Sequence, residues 1–128
     1  MEPSSDHEVP LPLTGVRLLV VEDDFLILME LESVLVEAGA EIVGACRTLK
    51  QALSFAEADG LAAAILDIRL GRETIAPAAR RLKERGVPFL FYTGQGNTDP
   101  VRAEWPGCVL LHKPAEPRNI VAAVCELL

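Results

Sequence analysis

The sequence predicts an α/β fold in which a five-stranded parallel sheet is covered by helices on both faces. Five short apolar runs alternate along the chain with amphipathic stretches. This alternation requires right-handed crossovers between parallel strands. The runs carry apolar residues on both faces, as buried parallel strands do. They are 16–21, 41–45, 62–66, 88–92 and 108–111.

Helical patterns fill the intervals between these runs. Gly39 and Gly86 end the first and third patterns, and Thr48 is a candidate N-cap for the second, which should run to about Ala58. Only 98–105 is available for a fourth helix, so we expect it to be short or frayed. The residues predicted to face the sheet are Ile27, Leu31, Val34, Leu35 and Ala38, then Ile75, Ala78, Ala79 and Leu82, and finally Ile120, Val121, Val124 and Leu127.

Composition and charge narrow the class of protein. The chain has 128 residues and a net charge of −7. One domain is expected at this length, over 15–128 after a flexible arm at 1–14. The acidic balance argues against nucleic-acid binding, and no apolar run is long enough to span a membrane. Without a signal-peptide pattern, we expect a cytoplasmic protein whose three cysteines are reduced and buried.

Function is expected at the carboxyl ends of the strands, where open parallel sheets bind their ligands. Glu22, Asp23 and Asp24 directly follow the first strand. Adjacent carboxylates repel one another unless a cation compensates them, and Mg²⁺ prefers oxygen ligands. Asp24 is better explained as the N-cap of the first helix. Glu22 and Asp23 are therefore the candidate metal ligands, with a solvated loop as the alternative.

Three further polar residues follow the third, fourth and fifth strands. Asp67 could ligate the same cation and act as a nucleophile that forms an acyl phosphate. Thr93 could donate a hydrogen bond to a phosphoryl oxygen, and Gly94 and Gly96 allow a close backbone approach. Lys113 could neutralise a phosphoryl group. Each residue alone is equally compatible with a turn, a cap or a solvated surface, but together they indicate phosphoryl chemistry.

The motifs LLVVEDD, ILD, YTG and HKP resemble the landmarks of response-regulator receiver domains over nearly the whole chain, 16–128. The resemblance implies a CheY-like, flavodoxin-like fold with strand order 2-1-3-4-5 and a cis Lys113–Pro114 bond. It also implies a phosphoacceptor that assists its own Mg²⁺-dependent phosphorylation and dephosphorylation but is not an enzyme. The implied site residues are Asp67 as phosphoacceptor, Thr93 and Lys113 on the phosphoryl group, and Glu22, Asp23, Asp67 and the backbone carbonyl of Arg69 on Mg²⁺.

Two departures indicate an atypical subfamily. Leu110 stands where most receivers carry an aromatic switch residue, and DIRLGRET lacks the proline that many carry after the phosphoacceptor. With PFLFYTGQG, these features resemble single-domain receivers that carry a Phe-X-Thr-Gly motif and are linked to kinases of the HWE class. The usual coupling between the threonine and an aromatic residue is therefore in doubt. We expect the conformational response in 93–105 instead.

The predicted function is that of a single-domain response regulator. Asp67 would accept a phosphoryl group from a sensor histidine kinase or a phosphotransfer protein, and the signal would pass to an unknown downstream protein, or the chain would act as a phosphate sink. A receiver-like scaffold that is never phosphorylated is the alternative. A phosphohydrolase would need a second acid where Arg69 stands, and a flavin phosphate would be repelled by Glu22 to Asp24.

Kinase docking is predicted on the first helix. At about 100° per residue, Phe25, Met29 and Val36 lie on a different sector from the face that packs on the sheet. Outward apolar residues beside the acidic cluster suggest a contact surface. The alternative is that they cover the helix start or contact the N-terminal arm.

Overall fold

The structure, a computed structural model, describes residues 11–94 and 99–128. Its strands are β1 (Arg17–Val21), β2 (Glu41–Cys46), β3 (Ala63–Leu66), β4 (Arg69–Leu70), β5 (Glu73–Thr74), β6 (Phe89–Thr93) and β7 (Leu110–His112). Its helices are α1 (Phe25–Glu37), α2 (Leu49–Phe55), α3 (Ala76–Glu84), α4 (Pro100–Glu104) and α5 (Pro117–Leu127). No helix in the described part of the chain is both long and apolar enough to cross a membrane.

The main sheet confirms the predicted fold class and strand order. Five parallel strands lie in the order β2-β1-β3-β6-β7, which is 2-1-3-4-5 when only these strands are numbered. The remaining two strands, β4 and β5, form a short antiparallel hairpin directly after β3. The sequence did not predict this hairpin, because two-residue strands show no periodicity.

Each face of the sheet carries its own apolar core, because successive side chains on a strand point to opposite faces. Leu19, Val21 and Phe91 belong to the core beneath α2, α3 and α4. Leu18 and Val20 belong to the core beneath α1 and α5. Both faces of the central strands are therefore dry, and polar chemistry is confined to the strand ends.

Helix α1 is rotated relative to the predicted packing face. Leu28 is 5% exposed and packs on the sheet with Leu31 and Leu35, although the pattern had not selected it. Ile27 and Val34, which were predicted to face the sheet, are only partly buried. The run FLILM is apolar on nearly every side, so its periodicity left the helix phase ambiguous.

Several local expectations hold and others change. Asp24 caps α1 through its Oδ1, and Thr48 caps α2 through its Oγ1. The fourth helix is short, as expected.

Within the predicted arm 1–14, residues 11–14 are described, and Leu13 is fully buried there; the rest of the arm lies outside the described residues. Of the three cysteines expected to be buried, only Cys46 is; Cys108 is partly buried, and Cys125 is exposed on α5.

Candidate functional site

Parallel pairing brings the carboxyl ends of four strands to one edge of the sheet. Val21 pairs with Leu66, so Glu22 and Asp67 lie side by side immediately beyond them. The Asp67 amide donates to the Val21 carbonyl at 2.9 Å. Beyond the ends of β6 and β7, the Lys113 amide donates to the Thr93 carbonyl at 3.1 Å. The predicted residues at the ends of β1, β3, β6 and β7 are thus fixed by backbone hydrogen bonds.

A buried cluster of two carboxylates and one ammonium occupies this end of the sheet. Lys113 Nζ lies 2.7 Å from Glu22 Oε1 and 3.1 Å from Asp67 Oδ2. Glu22 is 1% exposed and Asp67 is 7% exposed. The Glu22 Oε1 contact is short but poorly directed, so it is an ion pair rather than a well-formed hydrogen bond. Glu22 Oε2 accepts from the Asp24 amide at 3.0 Å, which ties the cluster to the start of α1.

Burial dominates the electrostatics of the cluster. It raises the pKa of Glu22 from 4.5 to about 7, and the nearby charge of Asp67 adds to the rise. Lys113 and the Asp24 amide act in the opposite direction but only in part. Burial by itself would lower the pKa of Lys113, yet its contacts with Glu22 and Asp67 outweigh that effect and raise it. Lys113 is therefore a fixed positive charge, whereas Glu22 changes its charge near neutral pH.

Asp23 is placed differently from its two predicted partners. Its side chain is exposed, and its backbone carbonyl accepts from Arg47 Nε at 3.1 Å. Among the described residues, no three acidic, histidine or cysteine side chains are arranged as a group that could hold a metal ion. Lys113 instead lies between Glu22 and Asp67. The metal-binding roles of Glu22, Asp23 and Asp67 therefore stay predictions.

Thr93 and Lys113 lie at adjacent strand ends. Thr93 is fully buried at the end of β6. Lys113 follows β7, and the Lys113–Pro114 bond is cis, as the resemblance implied. Gly94 is exposed, and Gly96 lies outside the described residues. A hydroxyl-bearing residue, an ammonium and a carboxylate thus meet at one end of the sheet, which is a set of groups suited to a phosphoryl group.

Residues 18–125 match the model of the response regulator receiver domain family. The chain belongs to that family. It is therefore a receiver domain of two-component signalling. Domains of this family are phosphoacceptor modules and generally not classical enzymes. Receiver domains generally bind Mg²⁺ at the phosphorylation site and interact with histidine kinases and with downstream proteins.

Known relatives agree with this assignment. Phyllosphere-induced regulator PhyR of Methylorubrum extorquens is 27% identical over 115 residues, which are 88% of this chain and 43% of PhyR. Transcriptional regulatory protein PdtaR of Mycobacterium tuberculosis is 30% identical over 125 residues, which are 95% of this chain and 60% of PdtaR. The chain thus spans about half the length of these curated relatives. The solution structure of SdrG from Sphingomonas melonis Fr1 is similar with a TM-score of 0.72 at 37% identity, covering 88% of this chain and 97% of SdrG.

An ion pair that the sequence did not reveal joins Arg69 to the start of α4 in the receiver domain. Arg69 Nε lies 2.8 Å from Asp99 Oδ2, and Asp99 is buried. The other oxygen of Asp99 accepts from the Val101 amide at 2.9 Å and so caps α4. Arg69, whose carbonyl was predicted to ligate Mg²⁺, therefore holds the start of α4 with its side chain. An acidic residue before a proline-initiated helix was the available signal, but its partner is 30 residues away in sequence.

A second overlooked residue is Tyr92, next to Thr93 on β6. Its hydroxyl accepts from the Ala115 amide at 3.2 Å, and its ring centroid lies 5.8 Å from Lys113 Nζ. Strand alternation could have placed Tyr92 on the face opposite Thr93. It could not have revealed the contact with the Lys113 turn of the receiver domain.

Proposed function

We propose that this receiver domain accepts a phosphoryl group from a histidine kinase, or from a phosphotransfer protein, onto Asp67. The observation that carries the proposal is the buried contact of Lys113 with both Glu22 and Asp67 at the carboxyl ends of the strands. A buried ammonium beside a carboxylate can offset the charge that a phosphoryl group brings.

Phosphoryl transfer proceeds by in-line displacement at phosphorus. An oxygen of Asp67 attacks, the new O–P bond forms as the N–P bond of the phosphohistidine breaks, and the electron pair of that bond leaves with the imidazole nitrogen. Lys113 turns from the Asp67 carboxylate toward an oxygen of the transferred group. The Thr93 hydroxyl donates a hydrogen bond to another oxygen of that group.

Mg²⁺ fits the donor set, because the oxygens available here are the hard ligands that it prefers. Glu22, Asp23, Asp67 and the backbone carbonyl of Arg69 would hold it, with water completing the coordination. When bound, Mg²⁺ supplies positive charge that stabilises the phosphoryl oxygens. Glu22 would have to be ionised for this role, and Asp23 is exposed.

Replacement of the nucleophile tests the proposal. Asp67→Asn removes the nucleophilic oxygen while it preserves the shape of the side chain, so labelling by acetyl phosphate or by a phosphorylated kinase should disappear. Phosphate-affinity gels measure the labelled fraction. Asp59→Asn is the matched control, because Asp59 is a fully exposed carboxylate at the amino ends of the strands, opposite the site, and it should label like the wild type. Equal labelling of Asp67→Asn and wild type would favour a scaffold that is not phosphorylated on Asp67.

The kinase partner is proposed to dock on α1, and the Phe-X-Thr-Gly features favour a kinase of the HWE class. Phe25, Met29 and Val36 form the outer stripe of α1 and are 53%, 50% and 54% exposed. The other flank of α1 borders a groove of about 330 Å³ against Pro114, Pro117 and neighbouring residues of α5. Val34 lines that groove, so the two flanks of α1 offer alternative apolar surfaces.

A matched pair of valines distinguishes the two flanks. Val36→Glu places a charge on the outer stripe, and Val34→Glu places the same charge in the groove. We expect Val36→Glu, and likewise Met29→Glu, to abolish transfer from the kinase and to leave labelling by acetyl phosphate unchanged. If only Val34→Glu has this effect, the partner uses the groove. If a variant loses both reactions, its site or fold is damaged and the variant does not support docking.

A further inference from the structure

Tyr92 lies where the phosphoryl site meets the core beneath α1 and α5. It is 6% exposed, and it belongs to the apolar cluster of that face. A buried phenol normally needs a partner for its hydroxyl. Its partner is the Ala115 amide, at 3.2 Å, in the turn between β7 and α5.

The turn that carries Lys113 is held from both sides by neighbouring residues of β6. The Lys113 amide donates to the Thr93 carbonyl at 3.1 Å. Two residues later, the Ala115 amide donates to the Tyr92 hydroxyl at 3.2 Å. The turn 113–115 is therefore fixed at its start by the backbone of β6 and at its end by the side chain of Tyr92.

The ring of Tyr92 also limits where the ammonium can go. Its centroid lies 5.8 Å from Lys113 Nζ, within the range of a cation–π contact. Glu22 and Asp67 contact the same nitrogen at 2.7 Å and 3.1 Å. A lysine side chain has a flexible four-carbon stem, so contacts on several sides are needed to direct its ammonium group.

We propose that Tyr92 is a positioning residue for Lys113. Its hydroxyl holds the turn through Ala115, and its ring directs the ammonium toward Glu22 and Asp67. This assignment rests on the proposed contact of Lys113 with the phosphoryl group. Tyr92 itself touches neither the nucleophile nor the metal ligands in any described contact, so its effect is transmitted through Lys113.

Tyr92→Phe tests the assignment, because it keeps the ring and removes only the hydroxyl. The probes are Mg²⁺ alone and beryllofluoride at saturating Mg²⁺, each titrated by calorimetry or by amide NMR. Lys113 contacts the phosphoryl mimic but is not a metal ligand. We therefore expect the affinity for beryllofluoride to fall about three- to tenfold, the effect of one lost hydrogen bond, while the affinity for Mg²⁺ stays within about twofold.

Two variants separate positioning from a general loss of stability. Val124→Ala truncates a fully buried residue of the same core and should weaken the fold without changing either affinity. Tyr92→Leu removes both ring and hydroxyl and should weaken beryllofluoride binding more than Tyr92→Phe does. Equal weakening of mimic and metal binding in Tyr92→Phe, or equal effects of Tyr92→Phe and Val124→Ala, would overturn the assignment.

The spectroscopic readout uses the fact that Tyr92 is the only tyrosine of the sequence. Its ring carbon bonded to the hydroxyl therefore gives one assigned resonance in tyrosine-labelled protein. That resonance should shift when beryllofluoride binds beside Lys113 and changes the charge next to the ring, and the shift should be lost in Lys113→Ala. A wild-type protein that does not bind beryllofluoride would overturn the proposed function, and with it this assignment. Normal binding by both wild type and Tyr92→Phe would overturn this assignment alone.

Discussion

Helices α1 and α4 are attached to the same sheet by different kinds of contact. Helix α1 has 13 residues and buries Leu28, Leu31 and Leu35. Helix α4 has five residues and buries only Val101 among them. Length and apolar burial together make α1 a stable part of the fold, whereas α4 must rely on something else.

The contacts of α4 are mainly ionic and aromatic. Arg69 contacts its capping residue Asp99 at 2.8 Å, and Arg80 contacts Glu104 at 2.7 Å. Trp105, directly after the helix, packs its ring against Phe89. Contacts between charges respond to a new charge nearby, and apolar burial does not. The proposed phosphoryl group on Asp67, two residues before Arg69, would therefore act more on the ionic contacts of α4 than on the apolar packing of α1.

The largest expected difference between the two helices is in stability. Leu35→Ala in α1 should lower the free energy of unfolding by about 2–5 kcal/mol, because it leaves a cavity beneath a fully buried residue. Met29→Ala, on the exposed side of the same helix, should change it by less than about 0.5 kcal/mol. Urea unfolding measures both. Similar values for the two variants would contradict the described packing of α1.

The second prediction concerns pH: acid should raise the stability contributed by Glu22, next to α1, and lower the stability contributed by Glu104 in α4. Glu22, two residues before the cap of α1, has a pKa raised to about 7 by burial, above its ordinary value of 4.5. Its ionised form therefore destabilises the fold, so metal-free wild type should gain about 1–3 kcal/mol of stability as pH falls from 8 to 5. Glu104 in α4 has a pKa lowered by Arg80 from its ordinary value of 4.5. The contribution of this carboxylate to stability is therefore present above a pH of about 4.5 and is lost in stronger acid.

Glu22→Gln isolates this effect. The difference in unfolding free energy between wild type and Glu22→Gln should shrink as pH falls from 8 to 5, with Glu22→Gln the more stable protein at pH 8. Effects of histidines and of other acids are common to both proteins and cancel. A difference that is constant over this range would show that Glu22 does not titrate near neutral pH.

The smallest predicted effect concerns the cap of α4. Asp99→Ala removes both the cap and the ion pair with Arg69, and should lower the free energy of unfolding by about 1–2 kcal/mol. Hydrogen exchange should accelerate at the amides of Val101 and Trp105 and remain unchanged at Leu31. Asp59→Ala, an exposed acid, is the control. Equal protection of α4 in Asp99→Ala and wild type would mean that the ion pair does not hold the helix.

The sequence predicted features that depend on residues close together in the chain, and it missed features that depend on residues far apart. Strand order, the short α4 and the caps Asp24 and Thr48 followed from local patterns and from the receiver resemblance. The phase of α1 did not, because Ile27 and Leu28 are both apolar and only tertiary packing decides which is buried. The partnership of Arg69 with Asp99 was invisible for a different reason. It joins β4 to the cap of α4, and these become neighbours only after β3 and β6 have paired.

Lys113 gives the two buried carboxylates an internal counter-ion. Buried acids without compensation would oppose folding, and here the compensating charge is covalently part of the chain. It is therefore present at every concentration of divalent cation. Folding should therefore not require the proposed Mg²⁺, and a chelator should leave the domain folded.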